Sequence, residues 1–399
     1  MGESAGHTEL KRSISLPGMV FYGVGTMIGG GFYALLGKIV HSAGIFTPLA
    51  LALAGALALL SAFSFAELSR RFPVSAGEVQ YVDAAFGVSL LSQAVGLLVI
   101  LTGVVSAATL CAATGGFLLD LTGAPSLVFI ILTGLALTAI AAWGVSQSVA
   151  VVAAITLVEA GTLLFIILLS ADSLGQAPAR LGEMSANIEQ LDAAALVAAS
   201  FLAFYAFVGF EDMVNMAEET RNVKRTMPLA IFISVAITVA LYLGVALVAI
   251  DLEDRDALAA ANTPLALLLP SGVISGLAIG VISVLAGLNG ALVQLVMASR
   301  VLYGMADKGL APAGFARVNP ATRTPVRATL AAGLVILVLS TSFSLTGLAA
   351  ATSFIILAVF AMVNLSLALL RWKEGTHIAW LPLLAAASCV AMLLARLLL

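Results

Sequence analysis

The sequence predicts an all-α polytopic membrane protein, and three features of its composition predict this fold class. Hydrophobic residues make up 61% of the chain, charged residues make up only 10%, and the mean hydropathy is +1.13. A soluble chain carries about 25% charged residues. These values leave no room for a soluble domain, and we expect about 11 transmembrane helices packed as one bundle.

The spans follow from the lengths of the apolar stretches. A helix needs about 20 apolar residues to cross the roughly 30 Å hydrocarbon core of a bilayer. Eleven such stretches, numbered here as spans one to eleven, lie near residues 13–37, 44–66, 89–119, 126–143, 148–170, 193–217, 227–250, 271–299, 326–342, 346–370 and 378–398. Residues 1–12 are polar and are expected to form a cytoplasmic tail, without a cleaved signal peptide.

The charges in the loops predict the orientation of the chain. With a cytoplasmic N-terminus, 14 of the 18 Lys and Arg residues face the cytoplasm and 4 face outward. Cytoplasmic loops carry an excess of Lys and Arg, so this bias predicts a cytoplasmic N-terminus in the cytoplasmic (inner) membrane.

The spans divide into two halves and one additional helix. The first half covers residues 13–170, the second covers 193–370, and the extra helix covers 378–399. Span one is interrupted by glycines, and span six has its own irregular centre, “FYAFVGFED”. Interrupted segments at corresponding positions of two halves indicate a transporter site near the midplane. Because each half has an odd number of spans, the two repeats are expected to be inverted.

The interruption in span one is the stretch “GVGTMIGGGFYALLG”, which holds six glycines. It does not fit a dinucleotide-binding G-x-G-x-x-G motif, because Ile28 stands at the third glycine position counted from Gly23. Close helix packing through Gly25 and Gly29 is one interpretation. An unwound segment at Gly29 to Gly31 is the other, and a membrane tolerates it only where the segment lines an enclosed cavity.

An unwound centre exposes main-chain groups of both signs. The N–H groups at the start of the outer half-helix favour a carboxylate, and the carbonyls at the end of the inner half-helix favour a cation. The groups are the N–H of Gly30, Gly31 and Phe32, the carbonyls of Thr26 and Met27, and the span-six carbonyls of Tyr205 and Val208 beside Gly209. This pairing of charges fits an α-amino acid.

Four stretches in order along the chain carry a family resemblance. They are “GVGTMIGGGFYALLGK”, “SFAELSRRFPVSAGEVQYVDAAFG”, “FYAFVGFEDMVNMAEETRNVKRTMPLAI” and “ASRVLYGMADKGLAPAGFARVNPATRTPV”. At these residues the chain resembles the amino acid–polyamine–organocation (APC) permeases. The resemblance covers spans one to ten and implies a five-plus-five inverted-repeat (LeuT-like) fold with broken helices in spans one and six.

The resemblance also implies roles for individual residues. The substrate carboxylate would meet Gly30 and Gly31, the amino group would meet the carbonyls of Met27, Tyr205 and Val208, and Phe207 would be an aromatic lid. Side-chain selectivity would come from spans three, eight and ten, where the polar candidates are Ser106, Thr109, Asn289, Gln294 and Ser353. Each of these is also typical of ordinary hydrogen bonding between membrane helices.

Acidic residues within the spans are candidates for ion coupling. Glu159 lies about 11 residues into span five, which at 1.5 Å per residue places it roughly 16 Å deep. A carboxyl there must be paired, protonated or in contact with water. Proton-coupled APC permeases commonly have a lysine at this point, so Glu159 departs from the pattern. Glu211 matches the family's gate-linked carboxylate, and Asp212 beside it adds negative charge.

Our hypothesis is that protonation of Glu159 or Glu211 couples to movement of the substrate. A structural acid, a sodium site and contact with a cationic substrate remain alternatives for Glu159. Four charged residues at and after the cytoplasmic end of span two are expected to form ion pairs, the acids Glu67 and Glu78 with the arginines Arg70 and Arg71.

The sequence therefore predicts a proton-coupled symporter of amino acids that works by alternating access. An exchanger of cationic amino acids or polyamines, a channel and a non-transporting nutrient sensor are the alternatives. No catalytic set and no metal-spaced cluster is visible, so no enzyme activity, metal or cofactor is expected. The expected partners are an amino acid or amine, protons or sodium, and lipid, without nucleic acid. A monomer is expected, since relatives usually have twelve spans and their last two often mediate dimer contacts.

Overall fold

The computed structural model describes residues 12–74, 77–144, 149–252, 254–269, 276–307, 309–375 and 379–399. These residues form helices joined by short connections, together with one isolated parallel bridge between Ile14 and Thr220. The α-helices in chain order are α1 (Leu16–Ile28), α2 (Gly30–Ala43), α3 (Thr47–Arg71), α4 (Gly77–Phe86), α5 (Ser89–Thr122), α6 (Ser126–Trp143), α7 (Val149–Leu169), α8 (Ala171–Gly175), α9 (Ala177–Ala186), α10 (Ala193–Tyr205), α11 (Val223–Ala249), α12 (Arg255–Ala260), α13 (Gly276–Asp307), α14 (Val326–Ser342), α15 (Leu345–Lys373) and α16 (Trp380–Leu398).

Membrane-spanning capacity is distributed along the whole chain. Within the described residues, eight helical stretches are long and apolar enough to cross a membrane, namely Gly30–Arg71, Ser89–Thr122, Ser126–Trp143, Val151–Leu169, Val223–Ala249, Gly276–Asp307, Leu345–Lys373 and Trp380–Leu398. Shorter apolar helices are α1, α10 and α14. The shortness of α1 and α10 has a direct cause, because each is one part of an interrupted span. The chain is a multi-pass membrane protein.

Helix packing repeats between the two halves of the chain. Spans two, three and four, which are α3, α5 and α6, pack along their counterparts α11, α13 and α14 in the second half. The interrupted spans also have equivalent partners. Helix α1 of span one packs on spans five and seven, which are α7 and α11. Helix α10 of span six packs on spans ten and two, which are α15 and α3 and are the counterparts of α7 and α11. The additional helix α16 packs against α15 and α3. This exchange of equivalent partners is the packing of a five-plus-five repeat.

The long third span is one continuous helix. Helix α5 runs for 34 residues and packs against α13, α15 and α6. It ends where Gly123 takes a left-handed φ of 72° and its N–H caps the carbonyl of Leu119. The predicted span 89–119 is therefore helical throughout, and the middle of α5 lies beside both interrupted spans, with Leu110 next to Gly30 and Ser106 next to Tyr205.

Candidate binding site at the two helix breaks

The interruption of span one is confined to Gly29. Helix α1 ends at Ile28 and α2 begins at Gly30, and Gly29 between them has a ψ of 176°. The first N–H groups of a helix have no acceptor within that helix, so those of Gly30, Gly31 and Phe32 are available. The carbonyls at the end of α1 are available for the same reason. The predicted unwinding is present, and it occupies one residue instead of three.

Other glycines of the same stretch serve helix packing. A Cβ atom on Gly25 would lie 1.9 Å from Oγ1 of Thr156 in α7, and one on Gly30 would lie 2.7 Å from Cα of Gly287 in α13. The two interpretations of this stretch therefore apply to different residues. Gly25 and Gly30 permit close approach of neighbouring helices, while Gly29 breaks the helix.

The interruption of span six depends on Gly209. Helix α10 ends at Tyr205, the chain turns through residues 206–210, and a 3-10 helix continues over Glu211–Glu219. Gly209 has a φ of 127°, and a Cβ atom there would lie 2.6 Å from the carbonyl oxygen of Thr26. A side chain is therefore excluded both by backbone strain and by contact with the other break.

Two side chains connect the breaks through main-chain carbonyls. The Thr26 hydroxyl donates to the carbonyl of Gly209 at 2.9 Å. The Tyr242 hydroxyl of α11 lies 2.9 Å from the carbonyl of Met27 and 3.0 Å from that of Ala206. Its ring stacks on Phe32 with centroids 3.8 Å apart, which fixes its position. Because a hydroxyl has one proton, one of the two carbonyls keeps acceptor capacity.

A cavity of about 20 Å³ lies between the two breaks. It is lined by Thr26, Met27, Gly29, Gly31, Ser106, Leu110, Tyr205, Val208, Gly290, Val293 and Gln294. A volume of this order holds a water molecule, so an amino acid requires side chains to move aside. The ring of Tyr205 lies directly beside Gly31, since a Cβ atom on Gly31 would be 2.7 Å from it. The Tyr205 hydroxyl is hydrogen-bonded to the Ser106 hydroxyl at 3.2 Å.

Several predicted side chains do not line this cavity. Phe207 is fully buried and packs edge-on against Tyr242 at 5.2 Å, so Tyr205 and not Phe207 lies beside Gly31. Gly290, Val293 and Gln294 of α13 line the cavity, whereas Asn289, which lies one turn before Val293, does not. Also absent from the lining are Thr109, Ser353, Glu159, Glu211 and Asp212.

Glu159 is buried within α7. The residue is 0% exposed, and neither carboxyl oxygen has a hydrogen-bond partner among the described residues. Its main-chain carbonyl accepts from the Tyr33 hydroxyl of α2 at 2.8 Å. Helix α7 packs on α1, so this carboxyl belongs to the surroundings of the span-one break.

A second acidic group lies where the 3-10 helix of span six begins. One carboxyl oxygen of Glu211 accepts from the N–H of Gly209 at 2.8 Å. Asp212 accepts from Nε2 of Gln294 at 2.7 Å. Since Gln294 lines the cavity, Asp212 is one side chain away from it. Glu78 of α4 is 2% exposed and lies within electrostatic range of both acids.

The family follows from comparison with known proteins. The sequence profile of the family described as “Amino acid permease” matches residues 14–398. The chain belongs to the amino acid permease family. It is 30% identical over 390 residues to an uncharacterized transporter of Mycobacterium tuberculosis (strain ATCC 25618 / H37Rv), covering 96% of this chain and 86% of that protein. It is also 30% identical over 397 residues to “Cationic amino acid transporter 2, vacuolar” of Arabidopsis thaliana, with coverage of 93% and 61%.

A solved structure resembles the fold of this permease. The structure described as a substrate-bound outward-open state of a Na+-coupled sialic acid symporter matches with a TM-score of 0.59 and 16% identity. The match covers 97% of this chain and 91% of that one. The likeness, together with the packing of the two halves, confirms the predicted fold, and the family match confirms the resemblance to the APC permeases.

The ion pairs at the end of α3 differ from the prediction. Glu67 pairs with Arg70 at 3.1 Å and with Arg71 at 2.8 Å, and Arg71 also pairs with Glu374 at 2.6 Å. The prediction that Glu78 joins this group is wrong, because α4 turns Glu78 into the protein, toward Asp212. The partly exposed pairs contribute about 0–1 kcal/mol each.

Stability of the permease is expected to depend on pH through Glu78, which lies outside the membrane-spanning segments. Desolvation, and secondly the charge of Asp212, raise the pKa of Glu78 from 4.5 to about 8. The folded state therefore holds this proton more tightly than the unfolded chain, and its stability falls as the pH rises from about 4.5 through 8. We expect Glu78→Gln to be more stable than the wild type by up to about 5 kcal/mol at about pH 9, with little difference near pH 5.

Thermal unfolding of both proteins across this pH range measures the effect. The prediction fails if the difference between variant and wild type stays constant with pH.

Tyr242 was not identified from the sequence, although a tyrosine in the apolar span seven is a detectable signal. We expect Tyr242→Phe to lower the free energy of unfolding by about 1–2 kcal/mol, because a buried main-chain carbonyl loses its donor. Tyr303→Phe, at a partly exposed tyrosine of α13, is the matched control with little expected change. Equal effects of the two substitutions in thermal unfolding would contradict the role given to Tyr242.

Proposed function

We propose that this permease is a secondary active transporter that moves amino acids across the cytoplasmic membrane by alternating access, as a proton-coupled symporter. The observation that carries the proposal is the meeting of two interrupted spans at one buried cavity, with the first N–H groups of α2 on one side and main-chain carbonyls that keep acceptor capacity on the other. The proposal includes a cytoplasmic N-terminus, a monomer, and repeats bounded at residues 13–170 and 193–370.

Main-chain groups at the two breaks bind the charged ends of the zwitterion. The carboxylate accepts from the N–H groups of Gly30 and Gly31, where the positive end of the α2 dipole stabilises it. The ammonium group donates to the carbonyls of Met27, Val208 and Tyr205. The Tyr205 carbonyl already accepts from the Val208 N–H at 3.1 Å, so the ammonium group uses its second lone pair. Thr26 and Gly209 hold the two breaks together, and Ser106 positions Tyr205.

Alternating access requires the interrupted segments to move. Tyr205 and Leu110 fill the space above Gly30 and Gly31, so their displacement admits the substrate. At the cytoplasmic side, the carbonyl of Ile14 accepts a hydrogen bond from the N–H of Arg221 at 2.9 Å, and the N–H of Ile14 donates to the carbonyl of Glu219 at 3.0 Å. These bonds tie the inner ends of spans one and six, so we expect them to move together.

Protons are the proposed coupling ion, with sodium as the alternative. Glu159, Glu211 and Asp212 are the proposed coupling residues. All three carboxyls are buried, and none forms a salt bridge within the described residues. A buried carboxyl without a cationic partner is stabilised by taking up a proton.

The same three acids favour a second candidate, an exchanger of cationic amino acids or polyamines. Substrate cations would then neutralise the acids in place of protons. A relative named as a cationic amino acid transporter supports this candidate as well.

Uptake by purified protein in proteoliposomes tests the proposal. A saturable uptake of a labelled amino acid that is driven by an inward proton gradient supports symport. Counterflow that needs a trans amino acid or amine, and no proton gradient, supports the exchanger. Flux that does not saturate would indicate a channel, and binding without flux would indicate a sensor; either result would overturn the proposal.

A further inference from the structure

Gln294 connects the binding cavity to the acidic residues of span six. The residue is 4% exposed and lines the cavity together with Gly290 and Val293. Its Nε2 donates to Asp212 at 2.7 Å. Its Oε1 is buried, and it has no hydrogen-bond partner in the part of the chain that the structure describes. A buried acceptor of this kind is unfavourable unless a ligand or water donates to it.

The state of Asp212 fixes which end of the Gln294 amide faces the cavity. An ionised carboxylate only accepts hydrogen bonds, so it holds the NH₂ group and leaves Oε1 free. A protonated carboxyl can also donate its proton to Oε1, and in that arrangement the NH₂ group turns away from Asp212. The amide therefore presents an acceptor in the first case and a donor in the second.

We propose that Gln294 determines which substrate side chain the permease accepts, and that with Asp212 ionised it selects an amino acid with a basic side chain. This inference rests on the proposed function and names its substrate class. The side-chain ammonium or guanidinium donates to Oε1 of Gln294. Leu110, Val208 and Val293 form an apolar wall of the cavity that fits the aliphatic stem of such a side chain.

The surroundings of Asp212 favour a cation over a neutral donor. The titratable groups around it are Tyr22 of α1, Glu78 of α4 and the adjacent Glu211, and Arg300 of α13 acts on Tyr22. The three carboxyls form no salt bridge within the described residues. A substrate cation hydrogen-bonded to Oε1 of Gln294 is separated from these carboxyls only by the Gln294 amide, so it is attracted to their negative charge. A neutral side chain has no such electrostatic attraction. A proton on Asp212 and a basic side chain on the substrate therefore oppose each other, so the proton that is carried together with such a substrate binds at Glu159 or Glu211.

The test measures equilibrium binding of L-lysine and L-leucine to the purified full-length protein in detergent. We expect the wild type to bind L-lysine at least about tenfold more tightly than L-leucine, as a hydrogen bond to a charged group provides. The ratio of the two affinities is expected to fall on acidification from about pH 8 to about pH 5. Because protonation of other coupling groups affects both ligands, the ratio isolates the contribution of Asp212.

Two variants and one control complete the design. Gln294→Leu and Asp212→Asn are each expected to remove most of the lysine preference, and Asp212→Asn is expected to make the ratio independent of pH. Gln93→Leu applies the same substitution at a partly exposed position of α5, outside the cavity lining, and is expected to leave the ratio unchanged.

The outcomes separate this inference from the proposed function. Binding of L-leucine with equal or weaker binding of L-lysine overturns the inference and leaves amino acid transport in place. An undiminished lysine preference in either variant also overturns it. If the wild type binds neither amino acid, and no other, the proposed function itself fails.

Discussion

Replacing Gly209 by alanine is expected to abolish transport and to lower the free energy of unfolding by about 3 kcal/mol or more. Two effects add at this position. The φ of 127° lies in a region that residues with a Cβ atom rarely adopt, and the new methyl group would lie 2.6 Å from the carbonyl oxygen of Thr26. Neither atom can move freely, because the Cβ atom is bonded to the main chain of one break and the carbonyl oxygen belongs to the main chain of the other. The substitution therefore separates the two halves of the candidate site.

A matched control isolates the collision from the backbone strain. Gly123 has a φ of 72°, and a Cβ atom there would meet nothing within 4 Å. Gly123→Ala is expected to cost only about 1–2 kcal/mol and to retain transport. Thermal unfolding and proteoliposome uptake report both properties. If Gly209→Ala and Gly123→Ala behaved alike, the contact between the breaks would have no special importance.

Replacing Glu159 by methionine is expected to stabilise the protein while it removes dependence on the coupling ion. Both carboxyl oxygens are buried without a hydrogen-bond partner among the described residues. An unsatisfied buried polar group costs about 1–3 kcal/mol, and an apolar side chain of similar volume recovers much of this. This cost is the reason that we propose a role in coupling for Glu159.

Glu159→Gln separates the two effects. The amide keeps the shape and polarity of the side chain but cannot exchange a proton, so its stability is expected to stay near that of the wild type. Both variants are expected to lose the response of uptake to the proton gradient. A destabilised Glu159→Met protein that retains this response would show that Glu159 is a structural residue.

Main-chain features of the site were predictable from the sequence. Glycine is favoured where the backbone leaves the helical region or where two helices approach closely, so the glycine-rich stretch around Gly29 predicts a break. The same reasoning applied to Gly209 in span six. Hydropathy and length predicted the spans because a membrane imposes both directly.

Side chains were less predictable, because helix rotation decides which of them face the cavity. Asn289 and Gln294 are both polar residues of span eight, and the sequence does not distinguish them; only Gln294 lines the cavity together with Gly290 and Val293. The burial of Glu78 depends on how α4 docks, which is set by contacts far away in sequence. Tyr242 matters because of its distance to two main-chain carbonyls, a property that no local pattern encodes.

The claim that the two breaks hold a zwitterion is tested most directly by comparing an amino acid with two analogues, an amine that lacks the α-carboxylate and an acid that lacks the α-amino group. Ligands that bind only the folded state raise the unfolding temperature. The measurement uses L-lysine with cadaverine and ε-aminocaproate, and L-leucine with isoamylamine and isocaproate, added to the purified protein. We expect an intact amino acid to raise the unfolding temperature, and each amine or acid alone to have little effect. Equal stabilisation by an amine or an acid that lacks its partner group would contradict the account.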